Sequence, residues 1–506
     1  MHAIEADDNL AGALQPGEPH PRSVRGDPTE RLPEHLPNKK RKVEVDSVYA
    51  TNHDDDANGH NEHDINSRGI QLANTISDAM DGPVADETIH LCGPAPLAII
   101  SDHPDEVLNL AYDKLNAWPF QQVDTCWRRL YEEASLCKAI DLLRAQADSA
   151  KPGCNGSRRR KKLGDVIVDS DWITGLVMIL DKGLTLSGAP GRRAIFEATL
   201  QELEDFCDDS TDAGLPECFD MRRLDPLRSE HAIPRAREVL DFAAFQNHLD
   251  EASTPLMIPD MLCEWPASQR WHFPAYLMRL TLGGRRIVPV EIGKSYIEAG
   301  WTQRVMTFGQ FLKSYLLPQE PKGIGYLAQH DLFAQIPALR NDVMIPDYCY
   351  TSPPEPDAAV SNTMGLVGVK QLEAPLLNAW FGPKGTKTPL HTDPYHNILC
   401  QVVGSKYIRL YPPTETPKLY PLGQDDKGID LSNTSQVDVS RTRFGYSNGS
   451  TDSDAVRDME REFPLFAEAR YQEAILGPGE CLYVPLGWWH YVEGLSTSFS
   501  VSFWWN

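Results

Sequence analysis

Apolar positions recur along this chain in three different rhythms. Up to about residue 85 there is no sustained rhythm. Asp, Asn, His, Pro and Gly dominate, and too few apolar positions recur at any period to build a core, so residues 1–85 are expected to be a disordered tail. From about 86 to 245 apolar residues return at three- and four-residue spacing. "DTCWRRLYEEASLCKAIDLLRAQ" opens with Asp124, whose carboxylate suits a helix N-cap, and then places Trp127, Leu130, Tyr131, Ala134 and Cys137 at helical spacing. "DWITGLVMILDKGLTL" and "RRAIFEATLQELEDFC" read as two further helices, with no fixed period that would make them a repeat array. Residues 86–245 are therefore predicted to form an all-α helical domain. It holds no cluster of catalytic residue types, so packing or partner binding is its expected role.

From about 246 to 506 the rhythm changes again. Short β-branched runs stand between Pro and Gly punctuation: "RRIVPVEIG", "NILCQVVGSKYIRLYPP", "AILGPGECLYVPLGWWHYVEGL" and "TSFSVSFWW". Such runs predict antiparallel strands of a barrel or a two-sheet jelly roll. Helices are expected between them, in "MTFGQFLKSYLL" and within "LAQHDLFAQIPALRNDV". The polar stretch 441–456 reads as a loop inserted in the barrel. The whole chain is thus α+β.

Composition narrows the function. Length alone, 506 residues, leaves room for two or three domains. Seventy-two acidic against 48 basic residues give a net charge of -24, so the surface as a whole would repel phosphates and direct nucleic-acid binding is not expected. No run of 18 apolar residues predicts a membrane span, and "MHAIEADDNLAG" lacks the pattern of a secretory signal. The ten cysteines, Cys126, Cys137, Cys207, Cys400 and Cys481 among them, are scattered without a C-x-x-C pair, as in a reduced intracellular protein. One segment departs from the acidic trend. In "PNKKRKVEV", Lys39, Lys40, Arg41 and Lys42 form a basic string that a nuclear import carrier can grip, which makes the nucleus the expected location, with the cytoplasm beside it. A second basic run, 157–162, is read as a loop.

The candidate chemistry lies in "TPLHTDPYHN", 388–397. On an extended strand, side chains two apart share a face, so His391 and Asp393 could present an imidazole nitrogen and a carboxylate oxygen to one point. His490, in the distant strand-like run "VPLGWWHYV", is the candidate third ligand. Two histidines and a carboxylate make the facial triad of non-haem iron oxygenases. Lys406 follows an expected hairpin turn at Gly404-Ser405; pointing into a barrel, it would need an anion such as a 2-oxoacid carboxylate. Thr388 and Asn397 flank the triplet and can hydrogen-bond a carboxylate, or simply make turns. His396, with Pro394 before it, would face away and is read as a bystander; His272 and His330 are read as ordinary histidines.

These blocks carry a family resemblance. "LNAWFGPKGTKTPLHTDPYHNILCQVVGSKYIRLYPP" and "GPGECLYVPLGWWHYVEGLSTSFSVSFWWN" resemble the jumonji-C (JmjC) domain, in particular its lysine demethylase 8 or arginyl hydroxylase branch; "IPDMLCEWPASQRW", "RRIVPVEIG" and "GYLAQHDLFAQIPALRNDVMIPDY" match further upstream. The resemblance spans about 250–506 and implies a cupin-like double-stranded β-helix with flanking helices. It implies an oxygenase using Fe(II), 2-oxoglutarate and O2, with His391, Asp393 and His490 on the metal and Lys406, Thr388, Asn397 and Tyr326 on 2-oxoglutarate. Trp380 and Trp504 would line the pocket. The long segments 351–370 and 441–456 depart from the family pattern near the expected pocket mouth. The implied substrate is an Arg or Lys side chain of a protein, a histone or another nuclear protein, for which Glu291 and Glu493 are candidate acidic contacts. Arginyl C-hydroxylation is the favoured expectation and N-methyl-lysine demethylation the alternative. A non-catalytic scaffold acting through the helical domain, and a metal-binding cupin of other chemistry, are the competing classes.

Overall fold

The computed structural model describes residues 58–506 with interruptions, the larger ones at 150–171, 207–213, 362–368 and 443–452. The expected import string at 39–42, the basic run at 157–162, and much of 351–370 and 441–456 lie outside the described residues. Where the described part of 441–456 resumes it is helical, over Ser453–Glu462, rather than loop.

The helical half is organised around one long helix. Its elements are α1 (Asn58–Met80), α2 (Pro94–Ile99), α3 (Pro104–Asn116), α4 (Thr125–Ser149), α5 (Trp172–Lys182) and α6 (Arg193–Glu202). Two faces of α4 are apolar. Leu136, Ala139 and Leu143 pack with Leu72, Ala73 and Ile76 of α1 and Leu176 and Leu180 of α5, while Leu130, Tyr131 and Ala134 meet Val107 and Ala111 of α3. A helix apolar on two faces belongs at the centre of a bundle. Helix α1 corrects the expectation of a tail running to residue 85. Its sequence is mostly polar, but Leu72, Ala73 and Ile76 make one short stripe, and that stripe becomes meaningful only once α4 lies against it.

Among the described residues the C-terminal half holds twelve strands: β1 (Leu256–Ile258), β2 (Ile287–Ile292), β3 (Thr302–Thr307), β4 (Gly325–His330), β5 (Leu376–Gly382), β6 (Lys387–His391), β7 (His396–Val403), β8 (Lys406–Tyr411), β9 (Gln472–Leu476), β10 (Cys481–Val484), β11 (Trp489–Gly494) and β12 (Ser498–Trp505). They form two antiparallel sheets, β1-β10-β7-β12-β5-β4-β2-β3 and β6-β11-β8-β9. This is the two-sheet jelly roll expected of the strand pattern. Strand β12 shows how the sequence sets its faces. Phe499, Val501, Phe503 and Trp505 join the core outside the larger sheet, while Ser498, Ser500, Ser502 and Trp504 alternate onto the side that faces between the sheets. That inner space holds an apolar cluster of Leu399, Ile408, Leu410, Leu476, Leu482 and Val492, with Trp380 packed against it.

Three boundaries differ from expectation. The barrel unit starts before residue 246: a helix at Phe242–Glu251, α7, buries Phe245 and Leu249 in the outer core of the larger sheet, and Ala232 and Arg235 already bridge to Glu473 and Met257. The helix expected in "MTFGQFLKSYLL" begins only at Phe308. Thr307 caps it in a reciprocal box with Gln310, and Met306 still belongs to β3. Gly404-Ser405 is not a hairpin turn. β7 and β8 lie in different sheets, and the chain turns a corner between them. At that corner Gly404 has φ 70°, and a Cβ there would stand 1.9 Å from the Thr497 carbonyl oxygen, so only glycine fits.

A buried ion pair joins the two halves. Asp181, in α5, accepts from Arg286 Nε at 2.9 Å and Nη2 at 2.6 Å and from the Ile287 backbone N–H at 2.9 Å. Arg286 Nη2 also donates to the Gln335 carbonyl at 2.6 Å. This two-pronged grip fixes the first residues of β2 against the helical half. No helix among the described residues is long and apolar enough to cross a membrane.

Candidate metal centre

Two neighbouring strands of the smaller sheet bring the histidines together. His391 ends β6 and stands directly opposite His490 of β11, with ring centroids 4.0 Å apart; a register shift follows between His490 and Val492. Asp393 does not lie on the strand. β6 stops at His391, and Asp393 sits in the turn beyond it, ahead of Pro394, which has no N–H to continue a ladder. The shared-face argument for H-x-D is corrected accordingly: a turn, not strand alternation, aims the carboxylate.

The histidine tautomers follow from their backbone partners. His391 Nδ1 lies 2.8 Å from the Pro389 carbonyl and His490 Nδ1 3.0 Å from the Trp488 carbonyl. A carbonyl only accepts, so each Nδ1 carries a proton and each ring turns its Nε2 towards Asp393. His391 Nε2 is 3.8 Å from Asp393 Oδ1, and His490 Nε2 is 3.4 Å from Asp393 Oδ2. One donor atom from each residue falls within 4.8 Å of the other two, the only such group of three among the described residues. Burial, reinforced by the neighbouring His490, pushes His391 down to about 4. Burial works to raise Asp393, but the His490 hydrogen bond and the two imidazoles outweigh it and hold the carboxyl below its ordinary range. Two imidazole nitrogens and a carboxylate on one side of a site suit a non-haem ferrous ion.

The inner face of the barrel also carries unmatched polarity. Lys406 is 1% exposed, and its ammonium reaches the Tyr326 hydroxyl at 3.3 Å. Burial alone lowers it to about 7, with no carboxylate partner among the described residues. Tyr326 also hydrogen-bonds Thr388, and its ring lies 6.2 Å from that of Trp380, whose Nε1 donates to Ser502 Oγ at 2.9 Å. Asn397 stands opposite Trp504 across β7 and β12, and both Asn397 Oδ1 and Trp504 Nε1 are buried without a protein partner. Buried polar atoms are normally satisfied, so these mark a place for a polar guest.

The remaining sequence candidates divide. Glu291, on β2 directly opposite Tyr326, shares the pocket-facing side; burial raises it to about 7, and Trp301 Nε1 lies 3.4 Å away. Glu493 does not reach the pocket. It alternates with His490 and Val492, accepts from the Tyr491 hydroxyl at 3.1 Å and faces the opposite side of β11, which corrects its candidacy. His396 is buried with Nδ1 2.8 Å from the Tyr483 hydroxyl and stays outside the donor group. His330 binds Gln335 at 2.7 Å, and the His272 ring lies tilted against Phe273. Sequence reasoning missed Tyr395, stacked on Trp504 at 5.6 Å, although it lies in the same decapeptide. It also missed the serines of β12, whose strict alternation in "SFSVSFWW" was the available signal.

Residues 242–506 match the cupin-like domain family. Lysine-specific demethylase 8 of Xenopus tropicalis is 42% identical over 55% of this chain, a match covering 54% of that protein. Lysine-specific demethylase 8 of Danio rerio is 32% identical over 82% of this chain and 90% of its own length. Jumonji C domain-containing protein 5 of Drosophila melanogaster is 34% identical over 78% of this chain and 84% of its own. The match thus spans about half of the frog relative and most of the fish and fly relatives.

Proposed function

The chain belongs to the cupin-like domain family as a JmjC-type oxygenase dependent on iron and 2-oxoglutarate, and from that footing we propose that it hydroxylates a carbon of an arginine side chain in a nuclear protein such as a histone. In this reading His391, Asp393 and His490 hold Fe(II), and Lys406, Thr388, Asn397, Tyr326, Trp380 and Trp504 hold 2-oxoglutarate. When bound, iron, 2-oxoglutarate and O2 supply the oxidant for a C–H bond, with succinate and CO2 as co-products. The protein's own part is placement. Lys406 neutralises the distal carboxylate through a charge-assisted hydrogen bond, with the Tyr326 and Thr388 hydroxyls beside it. The apolar cluster around Ile408 and Val492 keeps water from the space between the sheets.

The observation that carries a basic substrate is Glu291: a largely buried carboxyl at the pocket, with no cationic partner among the described residues. A guanidinium would supply the missing charge. Demethylation is the second reading, supported by the names of the frog and fish relatives; the same oxygen insertion at an N-methyl carbon ends in loss of formaldehyde. Nuclear residence through Lys39, Lys40, Arg41 and Lys42 completes the proposal; a fluorescent fusion with these four replaced by Ala should lose nuclear enrichment.

The deciding experiment incubates the protein with Fe(II), ascorbate, 2-oxoglutarate and arginine- or methyl-lysine-containing histone peptides, with succinate and peptide masses as readouts. A gain of one oxygen on an arginine is expected. Loss of a methylene instead would select demethylation, and absence of both succinate and 2-oxoglutarate binding would refute the oxygenase reading.

A further inference from the structure

His396 has no place among the metal donors, yet it lies between the two turns that carry them. One turn, 392–395, presents Asp393 and leads into β7, whose first residue is His396. The other, 485–488, leads into β11 and His490. This second turn is closed by Trp488 N–H donating to the Pro485 carbonyl at 3.1 Å, with Gly487 at φ 75°, a type II arrangement with Leu486 at its first central position. Two consecutive N–H groups of that turn point at the first one. Gly487 donates to the Asp393 carbonyl at 3.4 Å, and Leu486 donates to His396 Nδ1 at 3.4 Å.

The direction of every bond around the imidazole is determined. A backbone N–H only donates, so His396 Nδ1 must be the acceptor. The Tyr483 hydroxyl, 2.8 Å from the same nitrogen, must then donate as well, leaving its oxygen to accept from Ser253 Oγ at 3.2 Å. Stacking holds the ring plane: Tyr483 lies parallel at 5.9 Å and Trp505 tilts over it at 5.5 Å. The imidazole is therefore a rigid acceptor, set by β10 and β12 and offered to the backbone two positions before Trp488, whose carbonyl in turn orients His490.

We propose that His396 is a positioning residue that docks the His490-bearing turn against the Asp393-bearing turn and so sets the spacing of the metal donors. The inference rests on the metal-centre reading above. Neither long hydrogen bond is strong alone, but the two act on adjacent residues of one tight turn. Displacing that turn moves His490 relative to Asp393, because the ring is oriented by the turn's own last carbonyl.

The test is a Co(II) titration followed by ligand-field absorption, on the full chain and four variants. Wild type should bind Co(II), and His391→Ala should not; reversal of either result overturns the metal-centre reading, and the inference with it. His396→Phe keeps the ring volume and removes the acceptor; it is expected to bind Co(II) about tenfold or more weakly, with shifted bands. His396→Asn, whose carboxamide oxygen can stand near the Nδ1 position, should recover most of the affinity. Leu486→Pro deletes the donor while suiting its turn position, and it tests the same contact even where the Phe variant fails to fold. The inference is overturned, with the metal centre intact, if folded His396→Phe or Leu486→Pro binds Co(II) with wild-type affinity and bands. It is equally overturned if the Asn variant is as weak as the Phe variant.

Discussion

The Lys406 ammonium lies 3.3 Å from the Tyr326 hydroxyl at the inner wall of the barrel, and burial without a carboxylate partner brings it down to about 7. The unfolded chain, where lysine keeps its ordinary value, binds more protons between that pH and about 10.4. Without cosubstrate, stability should therefore rise as pH rises through this window. A bound dicarboxylate restores the charge, so 2-oxoglutarate binding above pH 7 should take up a proton. Calorimetry at pH 8 in two buffers of different ionisation enthalpy reads this directly. Lys406→Met should weaken 2-oxoglutarate by about 10- to 100-fold, the worth of a charge-assisted hydrogen bond, while leaving Co(II) affinity within about twofold.

Glu291 predicts the opposite pH limb. Its carboxyl is raised to about 7 by burial, so in the free protein it stays protonated well above the ordinary carboxylate range. The folded state then holds an extra proton between about pH 4.3 and 7, and its contribution to stability is lost as pH rises through 7. A cationic substrate must displace that proton at lower pH. KM for a basic peptide should climb as pH falls from 7 towards 5. In Glu291→Gln the limb should vanish, with KM about tenfold above the wild-type value at pH 8, converging on it at pH 5, and kcat less affected. An unchanged pH profile in the variant would remove Glu291 from substrate binding.

Asp181 predicts that the two halves unfold together. Asp181→Ala leaves the Arg286 guanidinium, 4% exposed, without its partner, a loss of about 3–5 kcal/mol. Urea denaturation followed by tryptophan fluorescence should show one transition in wild type and a markedly lower midpoint in the variant. A shift below about 1 kcal/mol would mean that the pair does not join the halves energetically.

Ser502 is a small side chain on the inner face of β12. It accepts from Trp380 Nε1 at 2.9 Å and faces between the sheets. Ser502→Leu removes that acceptor and fills the space, at an overpacking cost of about 1–3 kcal/mol. The variant should fold, keep Co(II) binding and lose at least about tenfold in 2-oxoglutarate affinity, measured by quenching of tryptophan fluorescence.

Much of the candidate site was legible in the sequence, for reasons that differ residue by residue. His391, Asp393 and His490 are conspicuous because few residue types bind iron, and Lys406 because a lysine inside a strand of apolar residues needs an anion. The same reading failed where geometry depended on a distant partner. Asp393 reaches the site from a turn, although its spacing imitates a strand. Glu493 sits three residues from His490 and faces away, because strand alternation puts it with Tyr491. Helix α1 looked like tail because Leu72, Ala73 and Ile76, its buried apolar residues among those described, are too few to signal a helix without α4.

The sequence by itself determined the chemistry available: two imidazoles and a carboxylate, a lone cation for an anion, and strands whose period-two alternation separates an inner from an outer face. Those properties are local, set by side-chain type and backbone period. Only the tertiary structure decided that β7 and β8 turn a corner into different sheets, that α5 is tied to β2 through Asp181 and Arg286, and that His396 is held by Tyr483 against the turn leading to His490. Each of these joins residues far apart in the chain, and the free energy that selects such contacts comes from burial and pairing across the fold, which no local pattern encodes.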